Sequence, residues 1–181
     1  GAEVDVTDRP AVEAGVDEVK ARLGRPSILV NNAGLDCFKP FLKIDVETWN
    51  RVLDVNLTGT FHCCQVVLPE MIEQGWGRIV NISFSSAQGG QPLMTPYVAA
   101  KAGVIGFTKA LALESASRGV TVNAIAPGYT DTGLARAVPQ AILKDIVTQV
   151  PMGRLAQTDE IARGVVFLTD DAAGFITGET L

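Results

Sequence analysis

Tyr97 and Lys101 stand four residues apart, a spacing that puts both on one face of a helix. A free phenol ionises near pH 10 and a free ammonium near about 10.4. A cation within about 4–6 Å favours the phenolate, so the spacing predicts a lowered Tyr97 pKa. A lowering of about 3 corresponds to roughly 4 kcal/mol of interaction, supplied partly by Lys101 and partly by any further cation beside the ring. Such a tyrosine exchanges a proton with an alcohol or carbonyl oxygen near neutral pH. The competing reading is a packed tyrosine beside a solvated lysine, the common outcome for an isolated pair at this spacing.

Composition removes most rival chemistries. The 181 residues hold 15 Lys+Arg and 20 Asp+Glu, a net charge of −5, and are 47% hydrophobic. That is a globular composition, long enough for one domain with a sizeable core. The acidic balance offers no basic block to neutralise phosphates, which argues against nucleic acid and an acidic ligand as partners. No apolar run approaches the roughly 18–20 residues that span a bilayer, so no membrane partner is expected. Gly1–Asp5 has neither the basic nor the apolar region of a signal peptide. Cys37, Cys63 and Cys64 are an odd number with two adjacent, read as reduced thiols of a cytoplasmic protein. His62 is the one histidine, so neither a zinc site nor a Ser-His-Asp or Cys-His arrangement is expected.

The elements that must position the pair alternate. Ala2–Val6 reads as a short strand. Asp8 and Pro10 open a helix with a Val12, Val16, Val19, Leu23 stripe that Gly24 and Pro26 stop. Ile28-Leu29-Val30 is an apolar run without alternation, as in parallel strands buried on both faces. Asp45 caps a helix, helical signal continues from Asn56 to Gln74, and Arg78–Ser83 is the next strand. A helix runs from Pro96 to about Arg118, Thr121–Ala126 is a buried strand, Ala141–Val150 and Asp159–Thr169 are helices, the latter capped by Thr158, and Phe175–Leu181 begins a last strand. This pattern implies a doubly wound parallel sheet between helix layers, an α/β/α arrangement. Ligands of such sheets sit at the carboxyl ends of the strands. Asn31–Gly34, Ser83–Ser86 and Pro127–Thr132 each follow a strand and should meet there. Between Val98 and Leu113 the only charges are Lys101 and Lys109. A helix so apolar needs cover on two sides, and a second subunit is the simplest cover, giving a homo-oligomer, dimer or tetramer.

Taken in order, Asn31-Asn32-Ala33-Gly34, Asn56 within Asp54–Gly59, Asn81-Ile82-Ser83, Tyr97–Lys101, Pro127-Gly128-Tyr129-Thr130-Asp131-Thr132 and Ile176-Thr177-Gly178-Glu179 resemble the short-chain dehydrogenase/reductases of the single-domain type, across essentially all 181 residues. The resemblance implies a Rossmann-like fold, NAD or NADP as cofactor, and hydride transfer between a secondary alcohol and a ketone. It implies Tyr97 as general acid/base and Lys101 as the residue that lowers its pKa and binds the nicotinamide ribose. Asn56 would hold a water in a proton relay, the alternative being a helix-interior amide that satisfies a kink. Asp5 and Val6 would contact adenine. Asn32, Ala33 and Gly34 would pack along the adenosine side, and Pro127, Gly128, Thr130 and Thr132 would hold the carboxamide.

Two departures stand out. The family's catalytic serine lies thirteen residues before the tyrosine, where this chain has Phe84 between Ser83 and Ser85. Phenylalanine cannot hydrogen-bond a reacting oxygen. A one-residue bulge could re-aim Ser85, and Ser83 is the alternative. Nor does any TGxxxGxG turn occur. The resemblance therefore implies an incomplete fold: residues 1–181 as a single partial Rossmann-type domain without the first two strands, about 50–60 residues, and ending inside the last. Such a piece is expected to bind dinucleotide poorly and to aggregate.

Residues 32–41, 149–155 and 175–180 resemble 3-oxoacyl-acyl-carrier-protein reductases and 2-hydroxycyclohexanecarboxyl-CoA dehydrogenases, which implies a 3-hydroxyacyl/3-oxoacyl thioester of CoA or acyl carrier protein as substrate. A sugar or other small alcohol is the alternative, and a non-catalytic member acting in assembly is the alternative of another class. Lys39 or Arg154 could meet a carrier phosphate, against the commoner role of a solvated charge.

Overall fold

Three apolar runs become strands because each finds a parallel neighbour for its backbone groups. In the computed structural model, which describes residues 1–136, 138 and 140–181, they are β1 (Ile28–Asn31), β2 (Gly77–Ile82) and β3 (Val120–Ile125). The sheet order is β1-β2-β3, with Asn31 opposite Asn81 and Ile82 opposite Ile125. β3 is buried along its whole length, whereas β1 is an edge with Ile28 and Val30 partly exposed.

Alternation along β2 separates the two layers. Ile79 packs with Cys64, Val67, Met71 and Ala112, whereas Val80 packs with Ile125, Leu168 and the half-buried Ile161 and Val165. The first layer consists of α1 (Arg9–Leu23), α2 (Val46–Leu53), α3 (Gly59–Gln74) and α4 (Thr95–Ser115). After β3 come α5 (Gly133–Arg136), α6 (Gln140–Gln149) and α7 (Thr158–Thr169), and α7 covers the opposite face. The doubly wound α/β/α arrangement is therefore present.

Asp8 and Asp45 cap α1 and α2 as their positions suggested. Four expectations change. Ala2–Val6 forms no strand, for among the described residues no strand lies beside it to complete its hydrogen bonds. Phe175–Leu181 follows β3 but contributes only a single bridge, Ala124 with Thr180. Gln157, not Thr158, caps α7, through reciprocal bonds with Glu160. The helical stretch from Asn56 is interrupted: Asp54–Thr58 is one π-helical turn.

The ends of α3 and α4 meet tightly. Gly75 and Gly119 both take left-handed backbone, and a Cβ on Gly119 would lie 2.1 Å from the Gly75 carbonyl oxygen. Left-handed backbone alone costs a non-glycine residue about 1–2 kcal/mol, and here rigid backbone blocks relief. Gly119→Ala is expected to destabilise the fold by at least about 3 kcal/mol, read as a lowered denaturant midpoint. Gly106→Ala, where a Cβ meets nothing within 4 Å, serves as the benign comparison.

Candidate active site

Loops after all three strands open onto one cavity of about 620 Å³. Its walls include Asn32, Gly34 and Asp36 after β1, Ser83 and Phe84 at the end of β2, and Pro127, Gly128, Tyr129, Thr130 and Thr132 after β3. Tyr97 and Lys101 enter from α4, and α7 closes the far side. The convergence expected at the carboxyl ends of the strands is thus observed.

β2 holds α4 in place through the residues on one of its faces. Asn31 Nδ2 donates to Asn81 Oδ1 at 2.8 Å, and Asn81 Nδ2 donates to Thr108 Oγ1 at 2.9 Å. Ser83 Oγ donates to the Lys101 carbonyl oxygen at 2.8 Å, and Lys101 Nζ donates to the Ile82 carbonyl oxygen at 2.7 Å. Asn81 and Thr108 are fully buried, so each of these bonds is costly to lose.

The electrostatics differ from the expectation. Tyr97 is not lowered: its phenol is pushed up to about 12, by burial first and by the Asp36 carboxyl second. The reason is geometric. Lys101 Nζ lies over the Tyr97 ring, 5.5 Å from its centroid, and its hydrogen bond goes to Ile82. Burial in turn lowers the Lys101 pKa to about 8. At neutral pH the unliganded protein therefore carries a neutral phenol as a proton donor.

Asn56, on the π-helical turn, is fully buried. Its Nδ2 donates to the carbonyl oxygens of Val52 and Leu35, at 2.8 and 2.7 Å, whereas its Oδ1 has no partner. The amide does satisfy a kink, and yet an acceptor is left over. A Cβ placed on Gly34 would lie 3.1 Å from Asn56 Oδ1 and 3.9 Å from Lys101 Nζ. Glycine thus keeps open a place that lies within reach of both groups.

The serines go elsewhere. Ser83 is spent on α4. No bulge re-aims Ser85, which begins a 3₁₀ turn (Ser85–Ala87), is exposed and is outside the cavity wall. Phe84 is buried and meets Tyr97 and Tyr129 edge-on, each at 5.6 Å between centroids. Asp5, Val6 and Ala33 also lie outside the wall. Asp5 is exposed and bonded to Thr7, and the Val6 carbonyl pairs with His62. Arg154 is held by Glu160 through two bonds of 2.7 Å, so it is paired instead of free. Sequence reasoning gave no role to Asp36 or Thr108. Asp36 lies two residues past the Asn31–Gly34 turn, and Thr108 lies seven beyond Lys101, two turns along the same face.

Among the described residues no group of three His, Cys, Asp or Glu comes together, and no helix is long and apolar enough to cross a membrane.

Comparison with known proteins agrees with this architecture. The family model described as enoyl-(acyl carrier protein) reductase matches residues 2–181. The chain is 50% identical over 180 residues to nodulation protein G of Azospirillum brasilense, covering 99% of this chain and 73% of that protein. It is 49% identical over 178 residues to acetoacetyl-CoA reductase of Shinella zoogloeoides, covering 98% and 74%. It is 40% identical over 181 residues to the 3-oxoacyl-[acyl-carrier-protein] reductase of Haemophilus influenzae, covering 100% and 75%.

The buried lysine yields a pH prediction. Its folded pKa lies below the unfolded value of 10.5. Below about pH 8 the folded state pays the full cost of holding the charge, roughly 3 kcal/mol. Between about 8 and 10.5 the unfolded chain binds the extra proton, so this contribution makes stability rise with pH. Urea unfolding of wild type minus Lys101→Met should show that rise. A difference that is flat or falls over this range contradicts the burial assignment.

Proposed function

The chain belongs to the short-chain dehydrogenase/reductase family of NAD(P)-dependent oxidoreductases, and from that premise we propose that it reduces the ketone of a 3-oxoacyl thioester, carried on CoA or acyl carrier protein, to the 3-hydroxy product. The observation that carries this reading is the neutral Tyr97 hydroxyl in the wall of the cavity beside Lys101. Reduction of a carbonyl requires a proton for its oxygen, and a protonated phenol is in the state to give one. The names of the acetoacetyl-CoA and 3-oxoacyl reductases similar to this chain support the substrate class.

The residues present suit a nicotinamide dinucleotide. Asn56 Oδ1 is an unpartnered buried acceptor, and Gly34 keeps clear the place between it and Lys101 Nζ. Asn32, Gly34, Pro127, Gly128, Thr130 and Thr132 would hold the cofactor along the strand ends, while the adenine role of Asp5 and Val6 and the role of Ala33 rest on resemblance alone. When bound in its reduced form, NADH or NADPH would supply the hydride and leave as the oxidised nucleotide. In this reading Tyr97 gives its proton to the nascent alkoxide, Lys101 offers its ammonium to the ribose, and a water bonded to Asn56 Oδ1 and Lys101 Nζ replaces the proton. Ser85 and Ser83 have no part in it.

A second copy is the proposed partner. The outward face of α4 carries Ala99, Ala102, Gly106 and Ala110, and Leu113 there is 85% exposed. Small apolar residues let a neighbouring helix approach closely, and burial of Leu113 would contribute about 2 kcal/mol per subunit.

Tyr97→Phe is expected to lower NAD(P)H-dependent reduction of acetoacetyl-CoA by about 10²–10⁴-fold with little loss of nucleotide binding. An equal nonzero rate in both proteins contradicts the proton role. Crotonyl-CoA reduced faster than acetoacetyl-CoA would shift the reaction to carbon–carbon double bonds, and turnover of sugars alone would reject the thioester. A wild type that binds nucleotide yet turns over none of these substrates points instead to the assembly role.

A further inference from the structure

On the reductase reading above, the ketone must come beside Tyr97, and a group already beside Tyr97 is the ring of Phe84, 5.6 Å away between centroids. That ring is fixed by the backbone on either side of it. Ser83 N–H donates to the Ile125 carbonyl oxygen at 2.7 Å, and Ser85 N–H donates to the Pro127 carbonyl oxygen at 2.9 Å. Phe84 between them is extended, with φ −156° and ψ 140°, so residues 83–85 carry the pairing of β2 on into the loop after β3. The ring stands at 60° to Tyr97 and at 83° to Tyr129. Phe84 nonetheless forms part of the cavity wall, together with Met94, Val138, Leu143 and Ile146. Met94 and Ile146 are buried like Phe84, and Met94 lies just before the first turn of α4, three residues ahead of Tyr97.

A wall of this kind discriminates by what lies against it. The reacting carbon of a 3-oxoacyl thioester has two carbon substituents. One is the methylene that leads to the thioester, common to every member of the class. The other is the rest of the acyl chain, from methyl upward, and it alone can vary to cover apolar surface. Each methylene buried against such a wall is worth about fourfold in kcat/KM. A ring held by its neighbours has little freedom left to lose when the chain arrives.

We propose that Phe84 is a specificity-determining residue: its ring lies against the alkyl group on the 3-oxo carbon and selects thioesters in which that group is larger than methyl. Acetoacetyl-CoA is then a weak substrate, and 3-oxohexanoyl-CoA and 3-oxooctanoyl-CoA are better ones. Removal of the ring acts on the preference between chain lengths, whereas a purely structural role would lower all three substrates alike.

The test measures NAD(P)H-dependent kcat/KM for these three thioesters in wild type, Phe84→Leu, Phe84→Ser and Leu143→Ala, with thermal melting as the check on folding. Wild type should favour the six-carbon over the four-carbon substrate by about tenfold, the worth of two methylenes. Phe84→Ser should reduce that ratio to about twofold or less, and Phe84→Leu, which keeps an apolar side chain, should retain most of it. A wild-type ratio of one or below overturns the proposal without any variant, so it stays testable even if Phe84→Ser does not fold. A ratio unchanged in a folded Phe84→Ser overturns it as well. So does a ratio that collapses only in Leu143→Ala, because the alkyl group would then lie on α6 and not on Phe84. A wild type that reduces no 3-oxo thioester of any length overturns the underlying reading and this one with it, whereas an active wild type without preference for the longer chains overturns this one alone.

Discussion

One hydrogen bond, from the Lys101 ammonium to the Ile82 carbonyl oxygen, brings the fold and the site together. A charge on a residue only 3% exposed is costly unless its protons find acceptors, and the last residue of β2 supplies one where the strand gives way to the loop. Its neighbour Ser83 returns a bond to the Lys101 backbone, so strand and helix are tied in both directions. With Asn31, Asn81 and Thr108 behind, α4 is held on the sheet at two levels. Tyr97, one turn before Lys101, is therefore presented to the cavity by a backbone that is fixed on two sides.

The same burial determines what the tyrosine can do alone. Burial and the Asp36 carboxyl both raise its pKa, so the phenol keeps its proton. The ammonium that could have countered this lies over the ring and is itself inclined to lose charge. An environment of this kind favours donation to an oxygen that is becoming negative, the demand made by a ketone under hydride attack. Phenolate formation in the reverse direction needs positive charge from another source, and an oxidised nicotinamide ring would supply it.

Much of this was legible in the sequence because the signals were local. Buried parallel strands read as unbroken apolar runs, their turns read as asparagine, proline and glycine, and those turns met where the topology required. The ordered motifs identified the family for the same reason. What remained hidden depended on three-dimensional context. Spacing of four puts Lys101 and Tyr97 on one face but does not say whether Nζ reaches the hydroxyl or the ring. Asn56 was named, but its place on a π-helical turn and its bond to the carbonyl of Leu35, 21 residues away, carry no local sequence signal. Ala2–Val6 has strand-like residues and no adjacent strand. Asp36 is one carboxylate among 20 acidic residues, and only its place in the cavity wall, where it acts on Tyr97 and Tyr129, distinguishes it.

Phe84 links these points. A phenyl ring in place of a hydroxyl makes the tyrosine's surroundings drier, packs edge-on against two tyrosines and leaves the polar work of the cavity to fewer groups. Whatever the residue partners, the account depends on a phenol that is hard to ionise until a cation arrives. Ultraviolet difference titration of wild type against Tyr97→Phe isolates that ionisation. It should reach its midpoint only near pH 12 in the protein alone and move downward when NAD⁺ or NADP⁺ binds. A phenol that already titrates near neutrality without nucleotide, or one that nucleotide does not move, would contradict the account.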